Sequence, residues 1–182
     1  MDVREKIREL YVRNPRTKDI VRAIHKVSEE VSRKLGTVKI MDFCGTHEWT
    51  ITHYGIRSLM PPSVELVAGP GCPVCITPGH YVDHLIRLSF EGIRVYTYGD
   101  SYMLPGRSGS RPRNLAEARA EGGMVTVVYS FLDAVKAALK ERSKEHVFFA
   151  VGFETTMPAV ADPLVRRAIP PNLKVLNAHR FT

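Results

Sequence analysis

Apolar residues recur along this chain in blocks whose period alternates between that of a helix and that of a strand. Ile20, Ile24, Val27, Val31 and Leu35 follow one another at spacings of four, three, four and four, one face of an amphipathic helix that Gly36 is placed to cap. Residues 38–43 form a short apolar run bounded by Gly45, which predicts a buried strand with Cys44 at its carboxyl end. Residues 64–68 repeat the pattern and lead through a glycine-proline loop into a helix, with Thr77 as N-cap and Pro78 at the first helical position. Further strands are expected over 93–98, 124–129, 147–151 and 173–176, with helices over 115–121 and from Phe131 through Leu139.

Strands separated by helices at this spacing give βαβ units. The predicted fold class is α/β, a parallel β-sheet flanked by helices in a Rossmann-like three-layer arrangement, with ligands gathering outside the carboxyl ends of the strands. The cysteine turns and Gly99-Asp100 then converge on one rim. Residues 1–36 are expected to be an N-terminal helical segment and 37–143 an α/β domain carrying both cysteine motifs. No helix follows the last strand, so 144–182 read as the beginning of a second α/β domain, truncated, whose uncovered apolar surface favours self-association.

With 182 residues, 44% of them hydrophobic, the chain can fill a real core. No run approaches about 20 apolar residues, and the first thirty positions lack the charged head and apolar stretch of a signal peptide, so neither a membrane span nor secretion is expected. Three cysteines, an odd number, argue against a disulfide framework and for a reducing, cytoplasmic location. The net charge of +7 does not make a nucleic-acid binder. Ten Lys and Arg within residues 1–36 are set against six acids on a helical pattern, and the patch Arg107, Arg111, Arg113 and Arg119 has no interleaved aromatics.

The chemistry is concentrated in two clusters, Cys44-Gly45-Thr46-His47-Glu48 and Gly69-Pro70-Gly71-Cys72-Pro73-Val74-Cys75. Thiolates are soft metal ligands, and a C-x-x-C pair is a candidate dithiol. Cys44, His47, Cys72 and Cys75 together have the composition of a structural Cys₃His zinc site, which would make the chain a zinc-stapled interaction module. Alternatively Cys72 and Cys75 cycle between dithiol and disulfide, as in a dithiol oxidoreductase. Gly152-Phe153-Glu154-Thr155-Thr156 is either an anion-binding strand-to-helix turn or a helix cap. No P-loop or dinucleotide fingerprint is present.

These clusters, with Tyr54-Gly55-Ile56-Arg57 and Thr77-Pro78, stand in the order and approximate spacing found in the HypD family of hydrogenase maturation factors, which the sequence resembles from about residue 18 onward. The resemblance implies a scaffold on which iron receives cyanide and carbonyl ligands to give the Fe(CN)₂CO group of [NiFe]-hydrogenases, in complex with the chaperone HypC and the cyanide donor HypE. It assigns Cys44 to iron and Cys72 and Cys75 to thiol redox chemistry. His47 and Glu48 fall to the same cleft, and Glu154, Thr155 and Thr156 to a cofactor-binding side of it. The family's [4Fe–4S] cluster rests on four further cysteines that this sequence lacks, so it is not expected here and the chain matches an N-terminal half. Met103-Leu104-Pro105-Gly106-Arg107 also departs from the family pattern, which leaves the loop over 100–113 without an assigned role.

Overall fold

The computed structural model describes residues 2–11 and 13–181, in two compact units that divide between Gly71 and Cys72. The first unit holds α1 (Val3–Tyr11), α2 (Thr17–Leu35), β1 (Val38–Asp42), α3 (Gly45–His53), a single 3-10 turn (Ile56–Leu59) and β2 (Val64–Ala68). Gly36 caps α2 at a φ of 73°, donating its N–H to the Ser32 carbonyl. The strands β1 and β2 run parallel, with Val38 opposite Val64 and Asp42 opposite Ala68. The pairing brings both carboxyl ends, and thus both strand exits, to one end of the ribbon.

Three expectations are revised in this unit. The strand β1 is not buried: Lys39, Ile40 and Met41 are exposed, because a two-stranded ribbon has two edges and no interior strand. On α2 only part of the apolar face is shielded, with Ile24 and Val31 half-buried and Ile20, Val27 and Leu35 exposed. Residues 1–36 also do not stand apart, since α2 packs on β1 within the same unit.

The second unit comprises α4 (Pro73–Ile76), α5 (Gly79–Phe90), β3 (Arg94–Thr97), α6 (Leu115–Ala120), β4 (Val125–Val127), α7 (Phe131–Lys140), β5 (His146–Ala150), α8 (Met157–Val165) and β6 (Leu173–Asn177). Its sheet is wholly parallel in the order β4-β3-β5-β6. Side chains alternate across the pleat. Val95, Val125, Val147 and Phe149 therefore meet Val82 and Leu85 of α5 and Leu115 and Ala118 of α6, while Tyr96, Phe148 and Ala150 meet Phe131, Ala134 and Ala138 of α7 and Val160 of α8. The outcome is the expected three-layer α/β architecture. Strand β5 is buried along its whole length.

The expected boundary at 143/144 gives way for a topological reason. Strand β5 pairs directly with β3, so residues 144–182 complete the sheet begun at Arg94 and do not open a new one. The start of α5 is also displaced. Thr77 closes α4 by donating its hydroxyl to the Pro73 carbonyl at 2.6 Å, Pro78 becomes the N-cap, and α5 begins at Gly79.

Two buried polar side chains brace this unit. His146 Nε2 donates to the Glu141 carbonyl at 3.1 Å, which leaves Nδ1 to accept from the Tyr96 hydroxyl at 3.3 Å. The Asn172 amide donates to the carbonyls of Ala138, Glu141 and Lys144 and so ties the approach to β6 onto the end of α7. The loop over 100–113 is anchored on α5: Asp83 accepts from Arg107 N at 3.2 Å, Arg107 Nε at 2.6 Å and the Ser110 hydroxyl at 2.8 Å. Arg107 and Ser110 hold the Asp83 carboxyl below its usual value against the opposing effect of burial. Beside edge strand β6, Met157, Val160, Leu164, Ile169 and Val175 line an apolar groove of about 590 Å³.

Candidate functional site

The first constellation stands where β1 ends. Cys44 is the N-cap of α3 in an extended conformation, with φ −117° and ψ 121°. The sulfur closes no capping hydrogen bond, but the nearby backbone N–H groups of His47 and Thr46 hold the thiol below its ordinary value, while burial and the charge of Asp42 push the other way. A helix N-terminus favours a thiolate for the same reason that it favours any anion. Asp42 Oδ1 accepts the Cys44 N–H at 2.9 Å and lies 3.6 Å from His47 Nδ1.

Glu48 has a different setting. Arg57 Nη2 donates to its Oε2 at 2.8 Å and the Thr52 hydroxyl to its Oε1 at 3.0 Å, while Arg57 Nε reaches the Leu66 carbonyl at 3.2 Å. The hydrogen bond from Arg57 holds the Glu48 carboxyl below its usual range. Glu48 and Arg57 thus fasten α3 to β2. Trp49 stacks on His53 with ring centroids 4.5 Å apart on the exposed face of α3.

The second constellation lies within the other unit, at the carboxyl ends of β3, β4 and β5. A cleft of about 780 Å³ is lined by Cys72, Tyr98, Asp100, Tyr129, Gly152, Phe153, Thr155 and Thr156 among others. The Cys72 and Cys75 sulfurs are 2.8 Å apart, and Cys72 Sγ also accepts the Cys75 N–H at 3.2 Å. Neither cysteine is in a disulfide; Cys72 is the N-cap of α4 and Cys75 lies on its single turn, which Pro73 starts. Burial raises Tyr98 above its ordinary value. Gly152 is required here, because a Cβ would stand 2.0 Å from the Thr156 hydroxyl.

Of the residues picked out by sequence, Cys72, Thr155 and Thr156 share this cleft, and Cys75 joins through Cys72. Glu154 does not: it lines a separate concavity with Met157, Pro158 and Asp162. Cys44, His47 and Glu48 belong to the first unit. Among the described residues no three thiol, imidazole or carboxylate groups stand ready as a metal site. Asp42, Tyr98 and Tyr129 escaped the sequence reading. The one signal for Asp42 was an acid closing an apolar strand two positions before a cysteine.

The geometry bears on thiol chemistry directly. A mild oxidant such as diamide is expected to close one Cys72–Cys75 disulfide while Cys44 stays open to iodoacetamide. The Cys44 thiol is depressed, so its alkylation should persist to lower pH in the folded chain than in the same chain unfolded in urea. Peptide mass mapping checks both points, and a disulfide from Cys44 to either partner would contradict them.

Fold and site together define a parallel α/β protein that carries a single thiol at a helix N-cap and a dithiol turn at strand ends. The HypD family model, described as the hydrogenase formation hypA family, matches residues 16–182. The chain is 42% identical over 165 residues to a hydrogenase expression/formation protein of Methanocaldococcus jannaschii, covering 90% of this chain and 45% of that relative. It is 41% identical over 145 residues to the hydrogenase maturation factor HypD of Rhizobium leguminosarum, covering 79% of this chain and 36% of the relative. With HypD of Escherichia coli the identity is 40% over 125 residues, 68% of this chain and 32% of the relative. The chain belongs to the HypD family of hydrogenase maturation proteins, and it spans less than half the length of these relatives.

Proposed function

We propose that this chain takes part in [NiFe]-hydrogenase maturation as a cytoplasmic scaffold that binds iron through Cys44 while the Fe(CN)₂CO group is assembled. The chaperone HypC and the cyanide donor HypE are its partners in this reading. The observation that carries it is the Cys44 thiol at the head of α3, held below its ordinary value by the His47 and Thr46 N–H groups. A thiolate presented in this way is a soft, strong ligand for low-spin iron, which is here the cargo and not a resident cofactor. Cys72 and Cys75 would supply or accept an electron pair by passing between dithiol and disulfide at the wall of the second cleft. Tyr98, Thr155 and Thr156 shape that cleft. Coordination and positioning are the work of the chain, and no freely diffusing substrate is turned over.

The experiment is infrared spectroscopy of the chain purified without oxygen together with HypC. Iron-bound cyanide and carbonyl bands are expected from the wild-type chain and are expected to vanish in Cys44→Ala, with an unchanged far-UV circular dichroism spectrum. Stoichiometric zinc in the wild type, with unfolding on chelation, would replace this reading by the zinc-stapled module.

A further inference from the structure

Asp83, Ile86, Arg87 and Phe90 follow one another on α5 at spacings of three, one and three, so they form a single stripe along the helix. The loop over 100–113 lies along that stripe, and the two enclose a groove of about 360 Å³ completed by Arg107, Arg111 and Pro112. Its floor is apolar, for Ile86 and Pro112 are buried while Phe90 is 47% exposed. Its rim is cationic. Three exposed guanidiniums, of Arg87, Arg107 and Arg111, face one carboxylate, that of Asp83, which Arg107 and Ser110 already take up.

Exposed cations are most often a solvated face, and two features set these apart. The first is that the groove is fixed before any ligand arrives. Asp83 holds the loop from α5, Gly106 N–H meets the Arg113 carbonyl at 2.7 Å, and the backbones approach so closely that a Cβ on Gly79 would stand 2.7 Å from the Gly106 carbonyl carbon. A surface organised in advance spares the cost of ordering it on binding. The second is the choice of cation. No lysine occurs between Lys39 and Lys136, so every cation on this rim is a planar guanidinium able to grip a carboxylate through two parallel hydrogen bonds.

The guanidiniums also retain capacity for a ligand. Arg87 Nη2 donates to His84 Nδ1 at 3.2 Å, and its Nε stands 3.9 Å from the exposed carboxylate of Glu91, a weak pairing. The Arg111 side chain enters no hydrogen bond or ion pair among the described residues. Glu117, the acid that feels its charge, is already paired with Arg113. A nucleic-acid strand would call for a series of stacking rings, whereas Phe90 is the one aromatic among the described lining residues.

We propose that this groove docks an acidic segment of a partner protein, with carboxylates on Arg87, Arg107 and Arg111 and an aliphatic or aromatic side chain on Phe90. No cysteine lines the groove, so the site stands or falls independently of the reading of Cys44.

The test is fluorescence anisotropy at low salt with the full chain and a fluorescein-labelled peptide of glutamates around one central leucine. Saturable binding is expected, and it should fade at high salt. Arg111→Glu removes an ion pair and adds a repulsion, so it should weaken the peptide by about 5- to 10-fold with an unchanged far-UV spectrum. Should that variant fold poorly, Arg111→Gln takes its place with a loss of about 3-fold. Arg119→Glu alters the net charge by the same amount on exposed α6 surface outside the groove, and should change affinity by less than about twofold. A peptide with glycine in place of leucine should bind the wild-type chain about 5-fold more weakly. Equal losses in Arg111→Glu and Arg119→Glu would reduce the effect to general charge attraction and overturn the proposal. Absence of saturable peptide binding would do the same, as would tighter binding of oligothymidylate than of the peptide.

Discussion

Phe148→Ala is expected to destabilise the second unit by about 3–5 kcal/mol, the loss that follows when a fully buried aromatic ring is deleted from a core unable to close over the gap. Phe148 is fully buried on β5, with its ring centroid 4.9 Å from that of Phe131 and 5.3 Å from that of Tyr98. Removing the ring opens a cavity between the sheet and α7, and close packing on both sides limits how far the site can collapse. The effect reaches the candidate site, because Tyr98 and Phe131 also line the Cys72 cleft. Urea unfolding followed by far-UV circular dichroism, with hydrogen exchange at the amides of Phe149 and Ala150, measures the loss. A change below about 1 kcal/mol would mean that Phe148 is not the keystone of this core.

Gly69→Ala should have the second largest effect and should act on the first unit. A Cβ at this position would lie 2.4 Å from the Asp42 carbonyl oxygen and 3.0 Å from Met41 Cγ. The nearer atom is backbone and cannot rotate away, so the carboxyl ends of β1 and β2 must separate. Overpacking of this kind costs about 1–3 kcal/mol, and the displacement falls on Asp42, whose side chain holds the Cys44 N–H. The variant is therefore expected to lose both stability and the enhanced low-pH alkylation of Cys44. Gly45→Ala is the control. No atom lies within 4 Å of its added Cβ, and as the first residue of α3 it should be neutral or slightly stabilising. Equal behaviour of the two alanine variants would contradict the steric argument.

The strands were legible because their apolar runs are short and end in glycine, proline or polar turns. Residues 64–68 coincide with β2, and 147–151 lie one position from β5. The pairing order was not legible. Nothing local to 146–150 says that β5 inserts between β3 and β6, since a parallel sheet sets its order through crossovers and not through neighbouring residues. Exposure of β1 was hidden for a related reason: Ile40 and Met41 look like core residues until the ribbon is seen to have only two strands.

At the candidate site the cysteines announced themselves by spacing and residue type. Their environments did not. The lowered Cys44 thiol depends on where two backbone N–H groups point, which sequence shows only as a possible helix start. Glu48 reads as a site carboxylate beside His47, yet Arg57, nine residues later, is the partner that defines its state. Asp42 reads as an ordinary strand end, and only burial of Oδ2 sets it apart.

The stacked pair of Trp49 and His53 gives the chain a built-in optical reporter. Trp49 is the single tryptophan, it is largely exposed, and it stands on the helix whose first turn holds Cys44. Indole emission selected by red-edge excitation therefore originates wholly in the first unit. If Cys44 takes a paramagnetic ion as proposed, quenching of that emission would follow its arrival without any attached dye.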